Sequence, residues 1–530
     1  MADHVTGGQA AQTSAPIADP PIADIAAGKL RGAVVDGVAV FKSVPYGAST
    51  VGARRFLPPA PPVPWAGIRD ATDYAGHSPQ MGLRPASRAE LADLYGVGDT
   101  SPPSEDCLTV NVWTPAVGDG GGRPVMVWLH GGAFSYGTGN GERSRGSRLC
   151  RRGDVVVVGV NHRLNILGHL DLSGVAGAAY AASGNAGMLD IVAALEWVRD
   201  NIAAFGGDPG CVTVFGESGG GGKVCTLMAM PAAQGLFHRA VVQSGAVVCL
   251  RTPDRAAKLT DAVLRELGTD AAGLRDMPLA RLMAAVGPAQ RALGPSARPL
   301  FDRYPFGPVV DGTVLPRQPF DPDASALSAH IPLLIGDMKD EAASFVATDD
   351  TMWFRTLDEA ELLRRVEPLA GADAGRVVAT YRAANPAMNP AELLIAIRTD
   401  AEFRIRSLLV AERRAALRAA PVFMYSFEWE TPVHDGRLKA PHAMDVPFVF
   451  DTLDLTRVHG DRADAFALSA LMAETWIAFA RTGRPGHADL PDWPEFDATG
   501  RATMMLDATC RVAHDPRPHG RTLWQELTAG

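Results

Sequence analysis

The stretch that most restricts this chain is Val212-Thr-Val-Phe-Gly-Glu-Ser-Gly-Gly-Gly-Gly-Lys-Val224, an apolar alternating run that breaks at a glycine, presents Ser218 and continues through four more glycines. It reads as strand, sharp turn and helix. The pentapeptide Gly216, Glu217, Ser218, Gly219, Gly220 fits the G-x-S-x-G nucleophile elbow, where a strained serine is lifted clear of a sheet and small neighbours let strand and helix close on each other. The same pattern also suits an ordinary glycine-rich loop, so its surroundings have to decide. A phosphate loop is excluded: a Walker pattern ending at Lys223 needs Gly at 217 and Ser or Thr at 224, where the chain has Glu217 and Val224. Lys223 reads as a side chain that snorkels from the helix, with no function assigned.

The surroundings alternate strand and helix. Gly28 to Phe41 holds two strand-like pieces around Asp36-Gly37, a hairpin signal. Val110–Trp113 and Pro124–Leu129 follow as strands, the second running into His130-Gly-Gly-Ala-Phe134. Asp154 to Val160 is a β-branched run suited to a strand covered on both faces, and Leu189 to Phe205 has helical spacing. Arg239–Gly245, Ile331–Gly336 and Val422–Trp429 are further strands, and Ser469–Arg481 a late helix. Alternation of this kind implies a mostly parallel sheet with right-handed crossovers. The helical segments 252–295 and 350–418 are insertions expected to shape a pocket over the strands' C-terminal ends. Residues 76–106 read as a surface excursion with a short helical piece near Ala89–Tyr95.

With 530 residues, 47% hydrophobic and 21% charged, the chain can bury a large core as one α/β unit. The expected organisation is a flexible tail over 1–22 and a single domain over 23–530. A net charge of −9 without long acidic blocks favours solubility and argues against a nucleic-acid partner. No signal-peptide pattern opens the chain and no run approaches the ~18 apolar residues of a spanning helix. The six cysteines form no C-x-x-C pair, and the thirteen histidines show no zinc spacing. The expectation is a cytoplasmic protein with reduced thiols, no metal and no cofactor.

A serine nucleophile needs a base, an acid that orients the base, and donors for the oxyanion. In α/β-hydrolases the order along the chain is Ser, acid, His. Ser218 is followed by the turn Asp337-Met-Lys-Asp-Glu341 after a strand, and then by His442. Spacing does not choose among Asp337, Asp340 and Glu341, each of which suits a turn or helix cap, nor between His442, His434 and His459. His130-Gly131-Gly132-Ala133 after a strand fits the loop whose amides face a substrate carbonyl, with the amide after the nucleophile, Gly219, completing the hole.

With these residues assembled, the chain resembles the type-B carboxylesterases, the cholinesterase-like α/β-hydrolases that include bacterial para-nitrobenzyl esterases. Phe41-Lys-Ser-Val-Pro-Tyr46, Arg55-Phe-Leu-Pro-Pro59, Ser104-Glu-Asp-Cys-Leu-Thr-Val-Asn-Val112, Asn161-His-Arg-Leu164, Phe205-Gly-Gly-Asp-Pro209, the elbow, Gln243-Ser-Gly245, Pro308-Val-Val-Asp-Gly312, Lys339-Asp-Glu341 and His442 carry the likeness in order. The resemblance implies Ser218 as nucleophile, Glu341 as triad acid and His442 as base. It aligns Gly132, Ala133 and Gly219 with the oxyanion donors and Gly131 with the turn residue before them. Ser244 aligns with a serine near the acid, and Glu217 with a carboxylate near the histidine.

There are departures. Secreted relatives pair the cysteine of the Glu-Asp-Cys motif with one in a segment that here reads Gly76-His-Ser-Pro-Gln80, so Cys107 lacks that partner. Gly219 replaces the alanine common after the nucleophile. No tryptophan lies between Trp65 and Trp113, which removes the cation–π anchor for choline esters. The expected activity is hydrolysis of small-molecule carboxylic esters through an acyl-enzyme, falling on acidification because only neutral histidine serves as base. Carbamate or amide hydrolysis by the same triad, and a noncatalytic binding protein on this fold, are the alternatives.

Overall fold

Val155 to Val160 shows how the sheet is built: Val156, Val158 and Val160 enter one hydrophobic core while Val155 and Val157 enter the other. Successive side chains leave a strand on opposite faces, so a β-branched run of this kind needs helices on both sides. The computed structural model describes residues 19–80, 99–294 and 305–529. The strands are β1 (Ile22–Ile25), β2 (Gly28–Arg31), β3 (Ala33–Val35), β4 (Val38–Pro45), β5 (Ile68–Asp70), β6 (Thr109–Thr114), β7 (Arg123–Leu129), β8 (Val156–Val160), β9 (Gly207–Glu217), β10 (Arg239–Gln243), β11 (Leu333–Met338), β12 (Val422–Phe427), β13 (Ala502–Leu506) and β14 (Arg511–His514).

Eleven of these form one sheet in the order β14-β13-β12-β11-β10-β9-β7-β8-β6-β4-β3. From β8 across to β13 every neighbour is parallel, and both margins are antiparallel. The helix Ala186–Asn201 packs in the first core and the helix Ala463–Thr482 in the second. This is the mostly parallel α/β-hydrolase arrangement expected. The β3–β4 hairpin turns at Asp36 and Gly37, both with positive φ (54° and 77°), the backbone signature of the turn that Asp-Gly favours.

β1 pairs antiparallel with β2 in a small separate sheet that also holds β5. Residues 1–18 of the expected tail and the expected helix near Ala89–Tyr95 lie outside the described residues. The late helix expected over Ser469–Arg481 runs from Ala463 to Thr482. Among the described residues it alone is long and apolar enough to cross a membrane, with mean hydropathy 1.3 and 56% of that stretch buried. Asp464, Glu474 and Arg481 interrupt its apolar run, which is why no spanning run was legible. Met472, Trp476 and Phe479 are fully buried against the sheet.

The insertions form satellite cores. Helices Pro253–Leu267 and Leu279–Ala292 pack with Phe56 and Ile166, whereas the helices between Glu359 and Thr399 pack with Leu523 and Trp524 of the C-terminal helix. A surface depression on the first insertion, lined by Asp261, Leu264, Arg265, Gly268, Thr269 and Asp270, shares no residue with the site described next.

Candidate active site

β9 ends at Glu217, and Ser218 takes φ 55° and ψ −120° before the helix Gly219–Leu227 begins. A non-glycine residue in that region is strained, and the surroundings hold it there. The Ser218 amide donates to Gln243 O at 2.8 Å and the Ser218 carbonyl accepts from Gly222 N at 3.0 Å. The glycines explain the closeness. A Cβ at Gly220 would lie 1.9 Å from Leu129 O, and one at Gly216 would lie 2.5 Å from the Gly220 carbonyl carbon.

The loop after β7 lies against this turn. Gly132 has φ 88° and Ala133 φ 54°, and the Gly132 carbonyl accepts from Ser135 N and Tyr136 N at 3.2 and 3.1 Å. Among the described residues the amides of Gly132, Ala133 and Gly219 donate to no carbonyl outside a helix or strand ladder. A Cβ at Gly219 would stand 2.2 Å from Ala133 O and 2.3 Å from Ala133 N, so loop and elbow meet at backbone contact. A Cβ at Gly131 would meet Glu217 Oε2 at 2.8 Å, which gives that glycine its place. These amides, at a helix N-terminus and a tight loop, are free to receive a developing negative charge.

His442 and Glu341 meet as the resemblance implies. His442 Nδ1 and Glu341 Oε2 are 2.5 Å apart, with Glu341 fully buried and His442 7% exposed. Burial raises the Glu341 carboxyl well above its usual range, opposed by the Met338 amide, which donates to Oε1 at 2.9 Å. The Ser244 hydroxyl also favours the ionised acid from nearby, without a hydrogen bond of good geometry. His442 Nε2 faces Glu217 Oε1 at 3.2 Å. Burial pushes the Glu217 carboxyl up to about 8, against the pull of His442. Ser218 Oγ and the imidazole are not hydrogen-bonded, but the ring's free nitrogen points at the residue that precedes the serine.

The alternatives left open by spacing are separated by the fold. Asp337 lies inside β11, fully buried, with Oδ2 unpartnered. Asp340 accepts from Ala440 N at 3.4 Å and so touches the histidine loop but not the ring. His434 stands beside Trp353 and His459 beside Phe466.

Lys223 corrects the sequence reading. It does not snorkel: it is fully buried, and its ammonium donates to His130 O at 2.7 Å. The helix carrying it is buried along its whole length, which leaves the side chain no route to water.

Three contributors went unseen in the sequence. Phe345 and Phe403 each lie 5.0 Å from the His442 ring, and Phe403 sits in a π-helical turn, Asp400–Arg404, within the second insertion. Asp445 accepts from Gln243 Nε2 at 2.8 Å and Tyr425 Oη at 3.1 Å, while Gln243 Oε1 accepts from Trp476 Nε1 at 3.2 Å. Gln243, at the end of β10 and with its carbonyl accepting from Ser218 N, thus ties the histidine loop to the elbow. The available signal was Asp445 three residues after His442 at a helix start; nothing in the local pattern marked the phenylalanines.

The chain matches the profile of the carboxylesterase family over residues 19–524. It is similar to the para-nitrobenzyl esterase of Bacillus subtilis (strain 168), 37% identical over 500 residues covering 93% of this chain and 96% of that one. It is also similar to the phenmedipham hydrolase of Pseudarthrobacter oxydans, 35% identical over 93% and 97% of the two chains. The crystal structure of the Geobacillus stearothermophilus carboxylesterase EST55 at pH 6.2 superposes with TM-score 0.82 at 38% identity, over 95% of this chain and all of that one.

Proposed function

The chain belongs to the carboxylesterase family, and from that premise we propose that Ser218, His442 and Glu341 carry out its ester hydrolysis on amides supplied by Gly132, Ala133 and Gly219. The protein is a serine carboxylesterase of the α/β-hydrolase fold. The observation that carries the residue assignment is the buried His442–Glu341 contact at 2.5 Å, with the ring's other nitrogen turned to the elbow.

Glu341 fixes the imidazole with its proton on Nδ1, which leaves Nε2 as the base. Entry of an ester brings Ser218 Oγ onto Nε2, a tightening that catalytic contacts commonly undergo when substrate binds. Ser218 attacks the carbonyl as its proton passes to His442, and the oxyanion forms against the three amides. Collapse breaks the bond to the alcohol, which leaves with the proton from His442. Water then repeats the sequence on the acyl-enzyme, releasing the acid and restoring Ser218.

Labelling with a fluorophosphonate tests the assignment. The parent protein takes up label and hydrolyses chromogenic esters, and Ser218→Ala does neither; label or turnover persisting in Ser218→Ala refutes it. We also place the protein in the cytoplasm, supported by Cys107, a buried free thiol whose family partner position holds no cysteine; activity recovered in a membrane or secreted fraction counters that.

A further inference from the structure

Lys223 is a buried cation that this chemistry leaves unused. Lys223 lies on the helix Gly219–Leu227, one turn after the residue that supplies an oxyanion amide. Its Nζ meets His130 O at 2.7 Å and stands 5.9 Å from the Phe134 ring centroid. Both partners belong to the oxyanion loop.

That loop is pinned at other points by neutral groups. Asn165 donates its amide to Phe134 O at 2.7 Å and its Nδ2 to Ser135 O at 3.2 Å. Gln80 accepts from Gly137 N at 2.8 Å and donates to Gly137 O at 3.0 Å. Among the described residues, only the Lys223 hydrogen bond joins the start of the loop to the helix bearing Gly219. Two donors come from the loop and one from the helix, so sliding one past the other spreads the amides apart. With Gly219 and Ala133 already at backbone contact, a bond at the loop's entry sets the remaining freedom.

Stability gives no reason for a charge here. A buried ammonium with one carbonyl and a ring is poorly compensated, and an apolar side chain of similar length would cost less. Burial draws the lysine down to about 7, with Glu217 opposing. The neighbouring His130 and His162, stacked at 5.1 Å, are driven well below their usual range by burial and by the Lys223 charge, so they stay neutral.

We propose that Lys223 is a positioning residue for acyl transfer: clamped on the His130 carbonyl, it registers the Gly131–Ala133 loop against the elbow helix so that the amides of Gly132, Ala133 and Gly219 converge. This rests on the residue roles proposed above.

The test is Lys223→Met in the full chain, read by kcat and KM on a chromogenic ester and by Ki for a trifluoromethyl ketone, whose adduct with Ser218 loads the same amides. Expected is a fall in kcat of about 10–100-fold, part of the 10²–10³ attached to losing a whole donor. KM stays nearly constant, Ki for the ketone rises by the factor that kcat/KM loses, and Tm is not lowered. Parent-like kcat/KM and Ki overturn the proposal. So does a fall in activity that follows Tm while ketone affinity holds. Should the Met variant not fold, Lys223→Gln, which keeps a neutral donor, is read in the same way with a smaller loss. Ser218→Ala separates the two levels. A parent that neither turns over ester nor binds ketone defeats the residue roles themselves, whereas an active parent with an indifferent Lys223→Met defeats only the lysine's part.

Discussion

Ser218 and the amides of Gly132, Ala133 and Gly219 are placed by backbone, through turns with positive φ and glycines in contact with facing carbonyls. His442 and Glu341 are placed by side chains from distant segments: Phe345 and Phe403 on the ring, and the Gln243–Asp445 bond behind the loop. The first half is rigid because its donors are backbone amides, which have no rotamer to change. The second is adjustable, and in this structure the ring's Nε2 stands 3.2 Å from Glu217 Oε1 without a hydrogen bond of good geometry and makes no hydrogen bond to Ser218 Oγ. A backbone-built half should fail when volume is added, and a side-chain-built half when a functional group is removed.

Glu341→Gln tests the second half and carries the largest expected loss in this comparison. The amide keeps the shape but no longer holds a proton on Nδ1, so kcat should fall by about 10⁴ with the wrong tautomer presented to the serine. Thermal unfolding should move little or upward, because a buried acid whose pKa burial raises gives way to a neutral group. Near-parental kcat would remove Glu341 from the mechanism and erase the distinction between the halves.

Gly219→Ala tests the first. The new methyl would stand 2.2–2.3 Å from Ala133 O and N, atoms that cannot rotate away. Displacing the loop costs about as much as losing a donor, roughly 10²–10³ in kcat. Alanine is the residue common in the family at this position, so the result is specific to this chain: it measures how far the loop has closed onto a glycine. A parent-like rate with alanine would show that the loop gives way easily, and the backbone half would then be the softer one.

The same division explains what the sequence disclosed. The elbow, the His130–Ala133 loop and the buried run after Asp154 were legible because backbone conformation and two-sided burial are written in neighbouring residues. The edge strands β1 and β14 were not, since short strands at an edge take their conformation from the partner they pair with. Glu341 could be told from Asp337 and Asp340 only through family resemblance, because which carboxyl of a turn faces a histidine a hundred residues on is a tertiary fact. Lys223 misled for the same reason: a lysine after glycines reads as solvent-seeking until the loop that covers it is known.

Asp337 gives the finest test, since it and Glu341 flank one turn and are both buried. Glu341 has His442 and the Met338 amide, whereas Asp337 Oδ2 has no partner. Burial first, then the Glu341 charge, pushes the Asp337 carboxyl up to about 8 from 3.8, with Arg404 and Arg517 opposing. The unfolded chain loses this proton near the ordinary value while the folded chain keeps it to about 8, so the folded state binds more protons between. Stability at this site is therefore highest in acid and declines as pH rises from about 4 to about 8. Asp337→Asn removes that decline. Its Tm should match the parent near pH 4 and exceed it at pH 8 by about 2–6 °C, with kcat changed by less than about threefold. A Tm difference that is the same at both pH values would mean the carboxyl ionises normally, and a large loss of kcat would mean that Asp337, and not Glu341 alone, holds the histidine half together.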